Sequence, residues 1–214
     1  MKRLLTVLLM LATWAHAQMP STEEMARATA ATADQARQSG MVLRTGTLWL
    51  AALRERAPLV AAYGQGVCQL GYSSYTPGRD YRWLFPTLTP AQREAWLAGI
   101  VHHELAHCVE QADQPQGRRG AQAITEGGPG HRWHEVLADL AFALHVDRAS
   151  ADGEGLVRQM ADLRAAQRTS DPEHDTSAEL RCYLQHRSSI HPEEAWLARL
   201  QAWRRRCWSG APPA

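Results

Sequence analysis

Apolar and polar positions alternate along this chain mostly with the period of a helix. The clearest case begins at Thr89-Pro90. Thr89 is a good N-cap, Pro90 suits the first helical position and Gln92 completes a capping box. From there Ile100, Val101, Leu105 and Ala106 make a strongly apolar helix that should run to about Ala112. A second such stretch, Arg132 to Val146, carries Leu137, Leu140, Ala141, Phe142 and Leu144. Upstream, Ser21 and Glu24 form a capping box for a helix reaching Gln38, and Gly40 ends it. Thr47 to Ala62 also has helical spacing, interrupted by Pro58. Gly64 to Phe85 differs. It is rich in Gly and aromatics, has turn signals at Thr76-Pro77-Gly78, and reads as a short hairpin or pair of strands. Gln114 to Gly130 ends in Gly127-Gly128-Pro129-Gly130 and reads as a long flexible loop. Helices are expected again at Gly155–Gln167, Ser177–His186 and about Glu193–Arg205, before a frayed tail at Pro212-Pro213. The expected fold is mainly α, with a small β-hairpin or short sheet before the central helix.

The N-terminus changes the picture. Lys2 and Arg3 precede an apolar run from Leu4 to Ala15, and Ala15-His16-Ala17 follows the pattern of a cleavage site. Twelve residues are too few to cross about 30 Å of hydrocarbon as a helix. We therefore expect residues 1–17 to be a signal peptide and 18–214 to be one domain, of ordinary size for a single core. No stable membrane insertion is expected after cleavage, and the destination is the periplasm or the exterior of a bacterium. A formal net charge of +1 with mixed charges argues against nucleic-acid binding. The four cysteines, Cys68, Cys108, Cys182 and Cys207, fit two disulfides in an oxidising compartment. The favoured pairings are Cys68–Cys108, tying the Thr89-Pro90 helix to the segment before it, and Cys182–Cys207, stapling two C-terminal helices.

The chemistry enters with His103-Glu104-Leu105-Ala106-His107. On a helix, positions i and i+4 share a face, so both imidazoles can address one cation. Glu104 sits beside that face, where a carboxylate can act as a base toward water without being a ligand. Zinc lowers the pKa of a water it binds toward about 7, and a neighbouring carboxylate can take the proton as that water attacks a carbonyl. A buried helix carrying two His and a Glu must satisfy those polar groups, and a metal does so.

A catalytic zinc needs a third protein ligand and an open position. Continuing the same helix in the H-E-x-x-H-x-x-G-x-x-H manner would require Gly where Glu110 stands and a ligand at Asp113. Glu110 does not readily make the turn that Gly allows. A carboxylate from the second helix is the better candidate. In Glu135-Val136-Leu137-Ala138-Asp139 the two acids are again i and i+4. Glu135 can ligate while Asp139 orients a ligand imidazole, and the small Ala138 lets the helices approach. His134 is the rival third ligand.

At this point H-E-L-A-H followed by E-V-L-A-D resembles the gluzincin arrangement, and within it the peptidase family of the CAAX prenyl protease and its bacterial periplasmic relatives. The resemblance covers about 40 residues. It implies a zincin-like helical domain, zinc on His103, His107 and Glu135, Glu104 as the base and Asp139 as the supporting acid. The family often carries His-Pro and then Arg on a late helix. Here His191-Pro192 is present, but Leu197 occupies the Arg position and Arg199 lies two residues late.

Candidates for stabilising an oxyanion are His174, Arg181, Tyr183, His186 and His191. His102 reads as structural or solvated, His131 and His145 as surface or capping residues, and the tryptophans, among them Trp83, Trp96, Trp133 and Trp196, as core packing. The expected function is an exported zinc metallopeptidase acting on proteins or peptides. The alternatives are a non-catalytic exported zinc-binding module and an amidase of cell-wall peptides.

Overall fold

A computed structural model describes residues 19–45, 58–73, 81–113, 129–189, 195–208 and 210. The expected signal peptide, the Thr76-Pro77-Gly78 turn, most of the Gln114–Gly130 loop, His191-Pro192 and the Pro-rich tail lie outside these residues. The protein is mainly helical with a small three-stranded sheet ahead of the central helices. No helix among the described residues is long and apolar enough to cross a membrane.

The first helix, α1 (Thr22–Gln38), starts where the capping box places it. The Ser21 hydroxyl accepts from the Glu24 amide, and the Glu24 carboxylate accepts from the Ser21 amide. Its buried side, Met25, Ala28, Thr29, Thr32 and Ala36, repeats at three- and four-residue steps. Gly40 then takes a positive φ of 74° and turns the chain into β1 (Val42–Thr45). After residues 46–57 come β2 (Leu59–Gly64) and β3 (Val67–Tyr72). The sheet order is β1-β3-β2, with β1 parallel and β2 antiparallel to β3.

Two expectations are corrected here. Residues 59–62 are strand and not the end of a helix, and β1 was not anticipated at all. The hairpin turns at Gln65-Gly66, both with positive φ (51° and 76°), and Gly64 pairs with Val67 across it. That is the two-residue geometry whose twist matches the flanking strands. Gln at its first position hides the usual Asn-Gly or Asp-Gly signal.

Helix α2 (Pro90–Asp113) carries the Thr89/Gln92 capping bonds. It packs against the sheet, where Cys68 of β3 bonds Cys108 and the Gln111 side chain accepts from the Tyr63 amide of β2. Its other side meets α3 (Pro129–Ala149), which begins three residues before the expected start. From Val136 to Leu144 every residue of α3 is buried, so it is the central rod of the domain. The two helices approach closely at Gly99, where an added Cβ would lie 2.7–2.9 Å from Phe142 and Val146 side-chain carbons. Trp96 meets the Phe142 ring edge-on with centroids 4.8 Å apart, and its indole N–H donates to the Leu84 carbonyl.

Helices α4 (Gly153–Ala166), α5 (Ser177–His186) and α6 (Trp196–Cys207) cover the remaining sides of α3. Cys182 bonds Cys207 and ties α5 to α6. Both disulfides use the partners favoured from the sequence.

Candidate metal centre

The helical spacing of α2 aims His103 and His107 at α3, and Glu135, near the start of α3, meets them. The two Nε2 atoms are 3.2 Å apart. Glu135 Oε1 lies 3.3 Å from His107 Nε2, and Oε2 lies 3.5 Å from His103 Nε2. All three residues are buried. A cation with four bonds of 2.0–2.1 Å holds its ligands about 3.3–3.4 Å from each other. The observed separations bracket that value, so the trio can hold a metal ion, and no fourth His, Cys, Asp or Glu joins it among the described residues.

The His103 tautomer agrees with this. His103 Nδ1 is 2.8 Å from Asp139 Oδ1. A carboxylate only accepts, so the proton sits on Nδ1 and the Nε2 lone pair faces the cluster. Glu135 Oε2 is buried without a hydrogen bond, an orphan acceptor of the kind a cation would satisfy.

The electrostatics also call for positive charge. Burial disfavours the His107 imidazolium, yet the Glu135, Glu104 and Glu110 carboxylates outweigh it and push the group up to about 9. Burial likewise opposes ionised Glu135, but the facing His174, His107 and His103 hold it well below the ordinary carboxylate range. Glu104 is half-buried. Burial raises its pKa, while His103 and His107 pull the other way. The net upward direction suits a carboxylate that must take up and return a proton.

Asp139 is the hub behind the trio. It accepts from His103, from Arg164 Nε at 2.8 Å and Nη2 at 2.7 Å, and from the Thr176 hydroxyl. Burial opposes its charge, but Arg164 and His103 keep it ionised far below the usual range. Sequence reading missed Arg164 and Thr176, because α4 and the segment before α5 show no motif that marks them. Arg132 fastens that segment in turn, donating to both oxygens of buried Glu179 at 2.6 Å and to the Asp175 carbonyl at 2.9 Å.

His134, the rival third ligand, is elsewhere. Its Nδ1 donates to Glu110 at 2.8 Å. Glu110 also accepts from Arg204, whose guanidinium lies 4.1 Å from the Trp133 ring centroid. Glu110 therefore fixes α2 to α3 and α6. His102 is structural, as one of its sequence readings had it: it is buried, its Nδ1 donates to the Ala98 carbonyl, and its ring stacks at 4.0 Å on that of His145, which had read as a surface or capping residue. Among the oxyanion candidates, Arg181 pairs with Asp162 and Tyr183 donates to Asp147. Among the described candidates, His174 faces the cluster, its Nε2 3.6 Å from Glu135 Oε2.

His131 is a correction. Read from sequence as a surface or capping residue, it has Nε2 3.5 Å from Glu135 Oε1 and 3.4 Å from His174 Nε2. A signal was present: His131 and Glu135 are i and i+4 on α3, the same relation that marks His103 and His107.

Comparison with protein-family models, with curated proteins and with solved structures found no match to this chain.

Proposed function

We propose that this protein is a zinc metallopeptidase of the gluzincin type, exported to an oxidising compartment, with His103, His107 and Glu135 as zinc ligands and Glu104 as the base. The observation that carries the reading is the convergence of His103 Nε2, His107 Nε2 and the Glu135 carboxylate at 3.2–3.5 Å from two helices. Two imidazoles and one carboxylate are the ligand set of zinc hydrolases that keep a position open. A structural zinc would require a fourth protein ligand, and the trio gathers none among the described residues.

Zinc held there would supply Lewis-acid activation of the water and the scissile carbonyl. The chain's own residues do the rest. Asp139, locked by Arg164 and Thr176, holds His103 in the tautomer whose Nε2 is free to ligate. Glu104 accepts a proton from the attacking water and delivers it to the departing amine nitrogen. The substrate is a protein or peptide. Two disulfides support export, since such bonds persist where thiols are not kept reduced.

The test is Glu104→Gln. Purified protein should cleave casein, lose the activity to a chelator and regain it with zinc. The variant should bind zinc as the parent does and cleave at least about a hundredfold more slowly. Parental cleavage rates in Glu104→Gln, or an absence of bound zinc in the parent, would overturn the reading.

A further inference from the structure

Glu135 has a His pair on each side. His103 and His107 approach its carboxylate from α2. On the other side stand His131, one turn earlier on α3, and His174, from the short 3-10 turn Pro172–His174 before α5. The ligand atoms of His131, Glu135 and His174 all lie within 4.8 Å of one another, as do those of His103, His107 and Glu135. The separations in the second trio are 3.4, 3.5 and 3.6 Å. These are close to those of the first, and to the edges of a tetrahedron around a cation with bonds of about 2.0–2.1 Å.

Each carboxylate oxygen is shared. Oε1 faces His107 and His131, and Oε2 faces His103 and His174. The one carboxylate thus belongs to both imidazole pairs, as a ligand shared by two ions would. His174 is also prepared as a ligand in the way His103 is. Its Nδ1 donates to Asp171 at 2.7 Å, which leaves the Nε2 lone pair toward Glu135.

We infer that His131, His174 and Glu135 form a second divalent-metal site, with Glu135 bridging it to the ion on His103 and His107. The donor set of two imidazoles and a carboxylate selects zinc or a similar borderline transition cation over calcium or magnesium. Paired ions of this kind serve hydrolases by holding the two reacting oxygens of one displacement. The inference rests on the first site being real, because the bridge belongs to both.

Metal content decides it with a readout independent of catalysis. The full chain, stripped with a chelator, is titrated with zinc by calorimetry and with cobalt(II) by absorption, and the bound metal is counted by mass spectrometry after gel filtration. Two ions per chain are expected in the parent. His131→Asn/His174→Asn should hold one, while His103→Asn/His107→Asn should lose at least the ion on α2. One ion in the parent, with its Kd weakened tenfold or more in His131→Asn/His174→Asn, would mean that these imidazoles complete a single shell, and the inference falls. One ion with a Kd untouched by that variant overturns it as well, while the proposed peptidase site stands. No ion in the parent removes both. The parent count settles the matter even if a variant does not fold.

Discussion

Asp139→Asn tests the frame behind the proposed zinc ligands. Asp139 is 1% exposed and accepts four hydrogen bonds, from His103, from Arg164 twice and from Thr176. Asparagine keeps one acceptor oxygen and turns the other into a donor facing donors. It also strips the counter-charge from Arg164, itself 6% exposed. Breaking a buried pair from one side costs about 3–5 kcal/mol, because the remaining charge is stranded. Loosening the carboxylate that orients a ligand imidazole typically costs 10–100-fold in metal affinity, or about 1.4–2.8 kcal/mol. Two measurements separate the effects. Urea unfolding of the metal-free protein should show a loss of about 3–5 kcal/mol, and zinc competition against a chromophoric chelator should show Kd rising about 10–100-fold. Thr176→Val, which removes one neutral bond and no charge, should cost about 1–3 kcal/mol. If metal-free Asp139→Asn unfolds within about 1 kcal/mol of the parent, the buried-pair reasoning fails. An unchanged zinc Kd would refute the orienting role.

Gly99→Ala puts a methyl 2.7–2.9 Å from Phe142 and Val146 carbons. The helices must spread, which costs about 1–3 kcal/mol and shows as a lower Tm. The Glu24–Arg93 pair joins the α1 cap to α2 at 2.6 Å, and despite some burial Arg93 lowers Glu24 from 4.5 to about 2. A depressed folded-state pKa means its stability is present above about pH 4.5 and is lost as pH falls toward 2. After solvent screening we expect about 1–2 kcal/mol, and Glu24→Gln should flatten that part of the stability profile in urea titrations between pH 6 and 2.5. The Cys182–Cys207 bond closes a 25-residue separation, worth about 3–4 kcal/mol by loop-closure entropy. Cys182→Ala/Cys207→Ala should lower the urea midpoint accordingly, and an unchanged midpoint would contradict that origin of its stability.

The sequence by itself determined whatever depends on neighbours along the chain. Helical periodicity and capping chemistry located α1, α2 and α5 almost to the residue, and i,i+4 spacing put His103 with His107 and Glu135 with Asp139. It erred where partners are distant. Residues 59–62 are strand because they pair across Gln65-Gly66 with β3, and β1 exists because β3 offers it a parallel edge. His131 shares the face of Glu135 by i,i+4 spacing and meets its carboxylate, while His134, on another face of α3, meets Glu110 of α2; which partner each face finds was decided by packing. Arg164, Thr176 and His174 reach the centre from separate segments whose placement follows from how α4 and α5 bury their apolar sides on α3. Local pattern encodes which face a side chain occupies on its own helix; what that face meets is fixed only when the whole core closes.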